Sequence, residues 1–135
     1  MKEIVVDAKL ENIDVVTEFV NDFLDQIDCP VKAKMQIDIV IDEIFGNICH
    51  YAYEDSEGTA TVRVELRDTQ EAICLTFIDS GVPYNPLEAE EPDITLSAEK
   101  RKIGGLGIYL VKKNMDEIKY EYVDKKNRLW MEKKL

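Results

Sequence analysis

Val40-Ile41-Asp42-Glu43-Ile44-Phe45-Gly46-Asn47-Ile48-Cys49-His50-Tyr51-Ala52-Tyr53 is the stretch whose reading decides the fold. It reads as the second half of a helix that begins near Ala33. Ile37, Ile41, Ile44 and Ile48 recur at helical spacing and form one apolar stripe. At roughly 100° per residue, Glu43 and Asn47 sit together beside that stripe rather than opposite it. As an i, i+4 pair their side chains are neighbours. A carboxylate and a carboxamide at the edge of a buried face suit a site. Taken alone, the pair fits a helix flank with no role better still.

Upstream, Lys2 to Asp7 is a short β-rich run, read as an edge strand. Leu10, Ile13, Val16, Val20, Phe23, Leu24 and Ile27 keep helical spacing, which predicts an amphipathic helix over residues ~11–28 that Cys29-Pro30 ends. Downstream, Glu54 to Gly58 is a polar turn. Ala60, Val62, Val64 and Leu66 then alternate with Thr61, Arg63, Glu65 and Arg67, a strand with one buried and one wet face. Asp68-Thr69-Gln70 turns the chain. Ile73, Leu75, Phe77 and Asp79 share one face of the next strand. A carboxylate pointing with three core residues must be hydrogen-bonded or lie near a cavity; a strand-end cap of the following turn is the plainer reading.

Residues Asn85 to Ile103 lack periodicity and carry Pro86, Pro92 and a run of acids. Loops of nearly twenty residues are usually functional or disordered. Gly104, Gly105 and Gly107 open a helix carrying Ile108, Val111 and Met115. Ile118, Tyr120 and Tyr122 alternate, Lys125-Lys126-Asn127 turns, and Leu129, Met131 and Leu135 close a hairpin around Trp130. The order is β-α-α-β-β-loop-α-β-β. Short turns between adjacent strands predict hairpins, hence an α+β fold: a two-layer α/β sandwich with a mixed, mainly antiparallel sheet and helices on one face, in a single domain over 1–135.

Glycines ahead of a helix let backbone N–H groups approach phosphates, and the helix N-terminus favours negative charge. Gly104-Gly105-Leu106-Gly107 meets that need, although glycines also make ordinary loops. The run is not a P-loop, having no Gly-Lys-Ser/Thr, and it does not directly follow a strand as a dinucleotide fingerprint would. Mg²⁺ wants hard oxygen ligands and keeps several waters while bridging phosphates, and the carboxamide oxygen of Asn47 can supply one such ligand.

Three motifs in order are Val40 to Tyr53, Phe77 to Pro86 (with Asp79-Ser80-Gly81-Val82-Pro83-Tyr84 inside it), and Gly104 to Val111 (opening Gly104-Gly105-Leu106-Gly107-Ile108). Together they resemble the N, G1 and G2 boxes of the GHKL (Bergerat-fold, histidine-kinase-like) ATPases, and within these the anti-sigma-factor, serine-protein-kinase branch. The resemblance covers nearly the whole chain and implies the same sandwich. It implies ATP or ADP with Mg²⁺ as ligands. Glu43 resembles the family's general base, Asn47 its metal-binding asparagine, and Asp79 the aspartate that accepts a hydrogen bond from the adenine amino group. Gly81 lets the backbone pass close to the base. Asn85–Ile103 resembles the ATP lid, where Lys100 or Arg101 reaches the γ-phosphate. The implied activity is phosphorylation of serine or threonine on a STAS-domain anti-sigma-factor antagonist, with partner switching to a sigma factor. A non-enzymatic, nucleotide-sensing protein-binding module is the alternative. A homodimer is a further expectation, with Lys2–Asp7 a plausible surface.

The chain departs from the branch at two places. Tyr51 stands where His is usual, and Gly46 precedes Asn47 where a small hydroxyl residue is common. Gly46 inside a helix costs up to about 1 kcal/mol relative to Ala, which close packing or a ligand would explain. His50 reads as a helix-face residue rather than a ligand.

A net charge of −11 over 135 residues argues against a nucleic-acid partner, because phosphate backbones are met by basic patches. It also opposes a free polyanionic nucleotide, so such a ligand needs Mg²⁺ and local positive charge. Lys100-Arg101-Lys102 is the tight basic cluster ahead of the glycines, read equally well as a solvated loop. No stretch approaches ~18 apolar residues, so no membrane span is expected, and Met1-Lys2-Glu3-Ile4 lacks the layout of a signal peptide. Both favour the cytoplasm. Cys29, Cys49 and Cys74 have no metal-type spacing, so reduced thiols are expected: Cys49 and Cys74 in the core, Cys29 open to exposure.

Overall fold

The computed structural model describes residues 1–54, 56–67, 71–88 and 105–135. Its elements follow the expected order. They are β1 (Lys2–Asp7), α1 (Ile13–Gln26), α2 (Val31–Asn47), β2 (Thr59–Leu66), β3 (Ala72–Asp79), α3 (Gly105–Asn114), β4 (Glu117–Val123) and β5 (Lys126–Lys134). Short 3₁₀ turns at Leu10–Asn12 and Pro86–Glu88 and a π-helical turn at Ile48–Ala52 complete the set.

The sheet runs β1-β2-β3-β5-β4, and all four pairings are antiparallel. The expected mainly antiparallel sheet is therefore wholly antiparallel among the described strands. β1 is an edge strand, as its composition suggests, and β3 lies at the centre. Packing of the helices on one face of the sheet follows from side-chain parity. In β2, Ala60, Val62 and Val64 are buried while Thr61 and Arg63 are not. In β3, Ile73, Leu75 and Phe77 are at most 1% exposed, and Asp79, on their face, is 8% exposed. Val16, Val20 and Leu24 of α1 and Ile37, Val40, Ile41 and Phe45 of α2 close over them. Burial of such side chains stabilises by about 1.5–3 kcal/mol each before the entropy of ordering is counted.

Helix boundaries have local causes. The Ile27 N–H donates back to Leu24, Asp28 turns the chain at φ 55°, and Pro30 pre-sets the entry to α2. The second helix stops being α-helical at Asn47, where the chain widens into the π turn. Such bulges displace the following residues around the helix axis and are frequent at functional sites. The helix predicted to run to Tyr53 is thus two segments.

Two further expectations are corrected. The β4–β5 turn is made by Asp124 and Lys125, both at positive φ (54° and 62°), with Val123 paired to Lys126. Two left-handed residues suit the twist of a tight hairpin. The turn is therefore not Lys125-Lys126-Asn127, and Asn127 stands inside β5. Cys29 is buried, at 8% exposure, rather than open to solvent. The turn read at Asp68-Thr69-Gln70 and most of the loop Asn85–Ile103 lie outside the described residues. No helix among the described residues is long and apolar enough to cross a membrane.

Candidate functional site

The end of β3 delivers Asp79 to the rim of the core, and the end of α2 delivers Asn47 to the same place. Both line one pocket enclosing about 520 Å³ of empty space, mouth included. Its walls are largely apolar, with Ile44, Ile48, Phe77 and Leu129 deep and Tyr51, Val82 and Tyr84 toward the mouth. This is the usual character of a small-molecule site: an apolar cleft with a few placed polar groups.

Asp79 is held by two donors. The Gly81 N–H donates to Asp79 Oδ1 at 2.9 Å, and Asn127 Nδ2 donates to the same oxygen at 3.0 Å. Asp79 and Asn127 face one another across the β3–β5 ladder. Asn127 in turn accepts from the Tyr84 N–H at 3.1 Å and the Tyr120 hydroxyl at 2.5 Å, and donates to the Val82 carbonyl at 2.9 Å. Burial raises the Tyr120 phenol above its ordinary value. Sequence reading missed Asn127, Tyr120 and Tyr84. A turn read at Asp124-Lys125 would have placed Asn127 inside β5, opposite Tyr122; its place opposite Asp79 comes from the non-local β3–β5 pairing, which no local signal specifies.

Gly81 is fixed by its neighbour. A Cβ there would stand 2.2 Å from the Ala52 carbonyl oxygen and 2.5 Å from its carbon. The Val82 N–H donates to that same oxygen at 2.9 Å. The turn after Asp79 is therefore clamped onto the π turn after Asn47, which ties the two pocket walls together. Tyr53 adds a second tie, accepting from the Ser80 N–H at 2.8 Å and donating to the Thr59 carbonyl at 2.5 Å.

Glu43 and Gly107 meet between α2 and α3. A Cβ on Gly107 would lie 2.3 Å from Glu43 Oε2. The Glu43 carboxylate thus sits against the first turn of α3, where helix N–H groups favour negative charge. Glu43 is not among the residues that line the Asn47–Asp79 pocket, so the structure assembles two adjoining pieces: Asn47 with Asp79, and Glu43 with Gly107. Gly105 and Leu106 open α3 by their backbone. Gly104, Lys100 and Arg101 lie outside the described residues. A Cβ on Gly46 would meet nothing within 4 Å, so close packing by described residues does not explain that glycine. His50 is exposed, as a helix-face residue should be.

The donor set suits a hydrated Mg²⁺ better than a protein cage. Among the described residues, no three His, Cys, Asp or Glu side chains cluster to hold a metal. One carboxamide oxygen at a pocket edge, with the remaining positions left to phosphates and water, is the pattern Mg²⁺ accepts.

Known proteins resemble this chain along most of its length. A serine/threonine-protein kinase, BtrW, of Bordetella bronchiseptica is 26% identical over 98 residues, 73% of this chain and 68% of that protein. An anti-sigma F factor of Clostridium perfringens is 28% identical over 130 residues, 95% of this chain and 91% of that protein. Two solved structures share the fold. One contains the RsbU and RsbW domains of Rv1364c from Mycobacterium tuberculosis, with a TM-score of 0.65 and 11% identity over the whole of this chain. The other is the histidine kinase domain of the Erythrobacter litoralis EL346 blue-light activated histidine kinase, with a TM-score of 0.59, 17% identity and 79% of this chain covered. This chain spans 33% and 46% of those two chains. The family described as the histidine kinase-like ATPase domain matches residues 6–133, and with the N- and G1-box residues meeting at one pocket, the chain belongs to that family.

Proposed function

We propose that this protein binds ATP with Mg²⁺ and transfers the γ-phosphoryl group to a serine or threonine hydroxyl of a partner protein. The carrying observation is that Asn47 and Asp79, far apart in sequence, line one apolar pocket, while Glu43 stands one helical turn before Asn47 and against the first turn of α3.

Asp79 accepts from the adenine amino group, and Gly81 leaves the backbone free beside the base. Asn47 would supply one oxygen to Mg²⁺, whose charge would offset that of the phosphates. Backbone N–H groups of Gly105, Leu106 and Gly107 at the start of α3, together with that of Gly104 before them in sequence, would receive the phosphates, and Lys100 or Arg101 would neutralise the γ-phosphate. Glu43 takes the proton of the attacking hydroxyl. The new bond joins that oxygen to the γ-phosphorus, the bond to the β-phosphate oxygen breaks, and ADP leaves.

The named relatives support the partners. A protein similar to an anti-sigma F factor and to a serine/threonine kinase is read as an anti-sigma-factor-like regulator. Its substrate is a STAS-domain antagonist and its second partner a sigma factor, with nucleotide state setting the preference between them.

One observation favours a second reading. The Glu43 carboxylate abuts Gly107 rather than lining the pocket, which suits a nucleotide-sensing module that binds partners without phosphotransfer. Incubation with γ-labelled ATP, Mg²⁺ and a STAS-domain protein from the same genome separates the two. Label on serine or threonine, lost in Glu43→Ala, upholds the kinase. ATP binding without transfer upholds the sensing module. No ATP binding by the native protein refutes both.

A further inference from the structure

We infer that Asn127 is the positioning residue that sets which base the pocket accepts, an inference that rests on the nucleotide reading above. It does so by holding Asp79 in a single orientation with one oxygen committed to the protein. Asn127 is 6% exposed, and its whole side-chain capacity is spent inside the fold.

The amide can point only one way. Tyr84 N–H and the Tyr120 hydroxyl both donate to one end of the side chain, which must be the oxygen. The other end faces the Val82 carbonyl and Asp79 Oδ1, which are both acceptors, and must be the nitrogen. A flipped amide would set acceptor against acceptor at Val82 and donor against donor at Tyr84. Backbone groups from the turn after β3 thus fix the amide, and the amide fixes the carboxylate.

The consequence falls on Asp79. Its Oδ1 takes both the Asn127 and the Gly81 donors, which leaves Oδ2 as the oxygen available to a ligand in the pocket. An ionised carboxylate oxygen only accepts. It therefore selects a ring bearing an exocyclic amine and rejects one that presents a carbonyl at that place, because the two acceptors would face each other unpaired. Without Asn127, the Asp79 side chain is tethered only by its own turn and can rotate.

The test uses Asn127→Leu, which keeps the approximate size but removes the donor to Asp79 without setting a second, proton-sharing carboxylate beside it. Affinities for Mg-ATP, Mg-GTP and Mg-tripolyphosphate are measured by calorimetry. The expected result is a loss of about tenfold or more in ATP affinity and a matching fall in the ATP-to-GTP ratio. Tripolyphosphate binding should hold within about twofold, since that probe has no base. A general loss of structure would weaken both probes together. An unchanged ATP-to-GTP ratio overturns the inference. Tyr120→Phe removes one of the two donors that fix the amide; it should lower the ratio in the same direction and serves if Asn127→Leu does not fold. If the native protein binds no ATP, the nucleotide reading fails, and the Asp79 side-chain rotamer still decides the positioning role. NMR couplings showing one rotamer in native protein and averaging in the variants uphold it; one fixed rotamer in all overturns it.

Discussion

Gly107 lies so close to Glu43 that a Cβ on it would stand 2.3 Å from the Glu43 carboxylate oxygen. The contact joins the second motif-bearing helix to the glycine-led third helix. It gives a packing reason for a glycine that would otherwise be read only as a phosphate contact. The neighbour is the far end of a flexible side chain, so Gly107→Ala should displace Glu43 rather than unfold the helix. Alanine is favoured over glycine within a helix by about 1 kcal/mol. The melting temperature should hold or rise while phosphotransfer falls by about tenfold or more. Thermal melts paired with a transfer assay check this; transfer at the native rate would show that the carboxylate's place at Gly107 is unimportant.

Gly81→Ala should behave in the opposite way. Here the obstructing atoms are the Ala52 carbonyl carbon and oxygen, which are backbone and cannot swing aside. Overpacking of this kind costs about 1–3 kcal/mol. A urea midpoint that falls, with ATP affinity falling alongside it as the Asp79 turn shifts, is the expected outcome. An unchanged midpoint would mean that the clamp between the two turns is slack.

Removal of Mg²⁺ should distinguish Asn47 from its neighbours. In native protein, EDTA should weaken ATP binding. In Asn47→Ala the affinity with Mg²⁺ should already be low, by about tenfold, and EDTA should lower it little further. Calorimetry of both proteins with and without EDTA reads this directly, and an equal response to EDTA in the two would remove Asn47 from the metal site.

The half-buried Cys49 thiol, at the edge of the core rather than within it, and the buried Cys74 thiol make stability fall at high pH. Burial pushes both Cys49 and Cys74 up from the ordinary 9.0 to about 11. Between those values the folded protein keeps protons that the unfolded chain has released, so stability drops as pH rises from about 9 toward about 11. Below about 9 both states hold the proton and the effect vanishes. Urea midpoints at pH 8.5 and pH 10.5 should therefore differ less in a Cys49→Ala, Cys74→Ala double variant than in native protein. A thiol reagent at pH 8 should label the folded protein far more slowly than the unfolded chain.

The sequence determined what local physics can specify. Period-2 and period-3.6 patterns drew β2, α1 and most of α2, because each buries one face and the pattern records which; β3 is buried on both faces save at Thr76, so its alternation says less. Parity placed Asp79 with Ile73, Leu75 and Phe77, and helical spacing placed Glu43 beside Asn47. Tertiary structure alone decided the rest. The β4–β5 turn is Asp124-Lys125, whose left-handed conformations neither residue signals strongly; that choice moves Asn127 from a turn into β5, and the non-local β3–β5 pairing then sets it opposite Asp79. Asparagine reads as a turn former in sequence, and only its strand partner reveals it as the anchor of a carboxylate. Likewise the contacts of Gly81 with Ala52 and of Gly107 with Glu43 join segments that are distant along the chain. Patterns within a segment report burial; they carry no information on which atom of another segment will stand a few ångströms away.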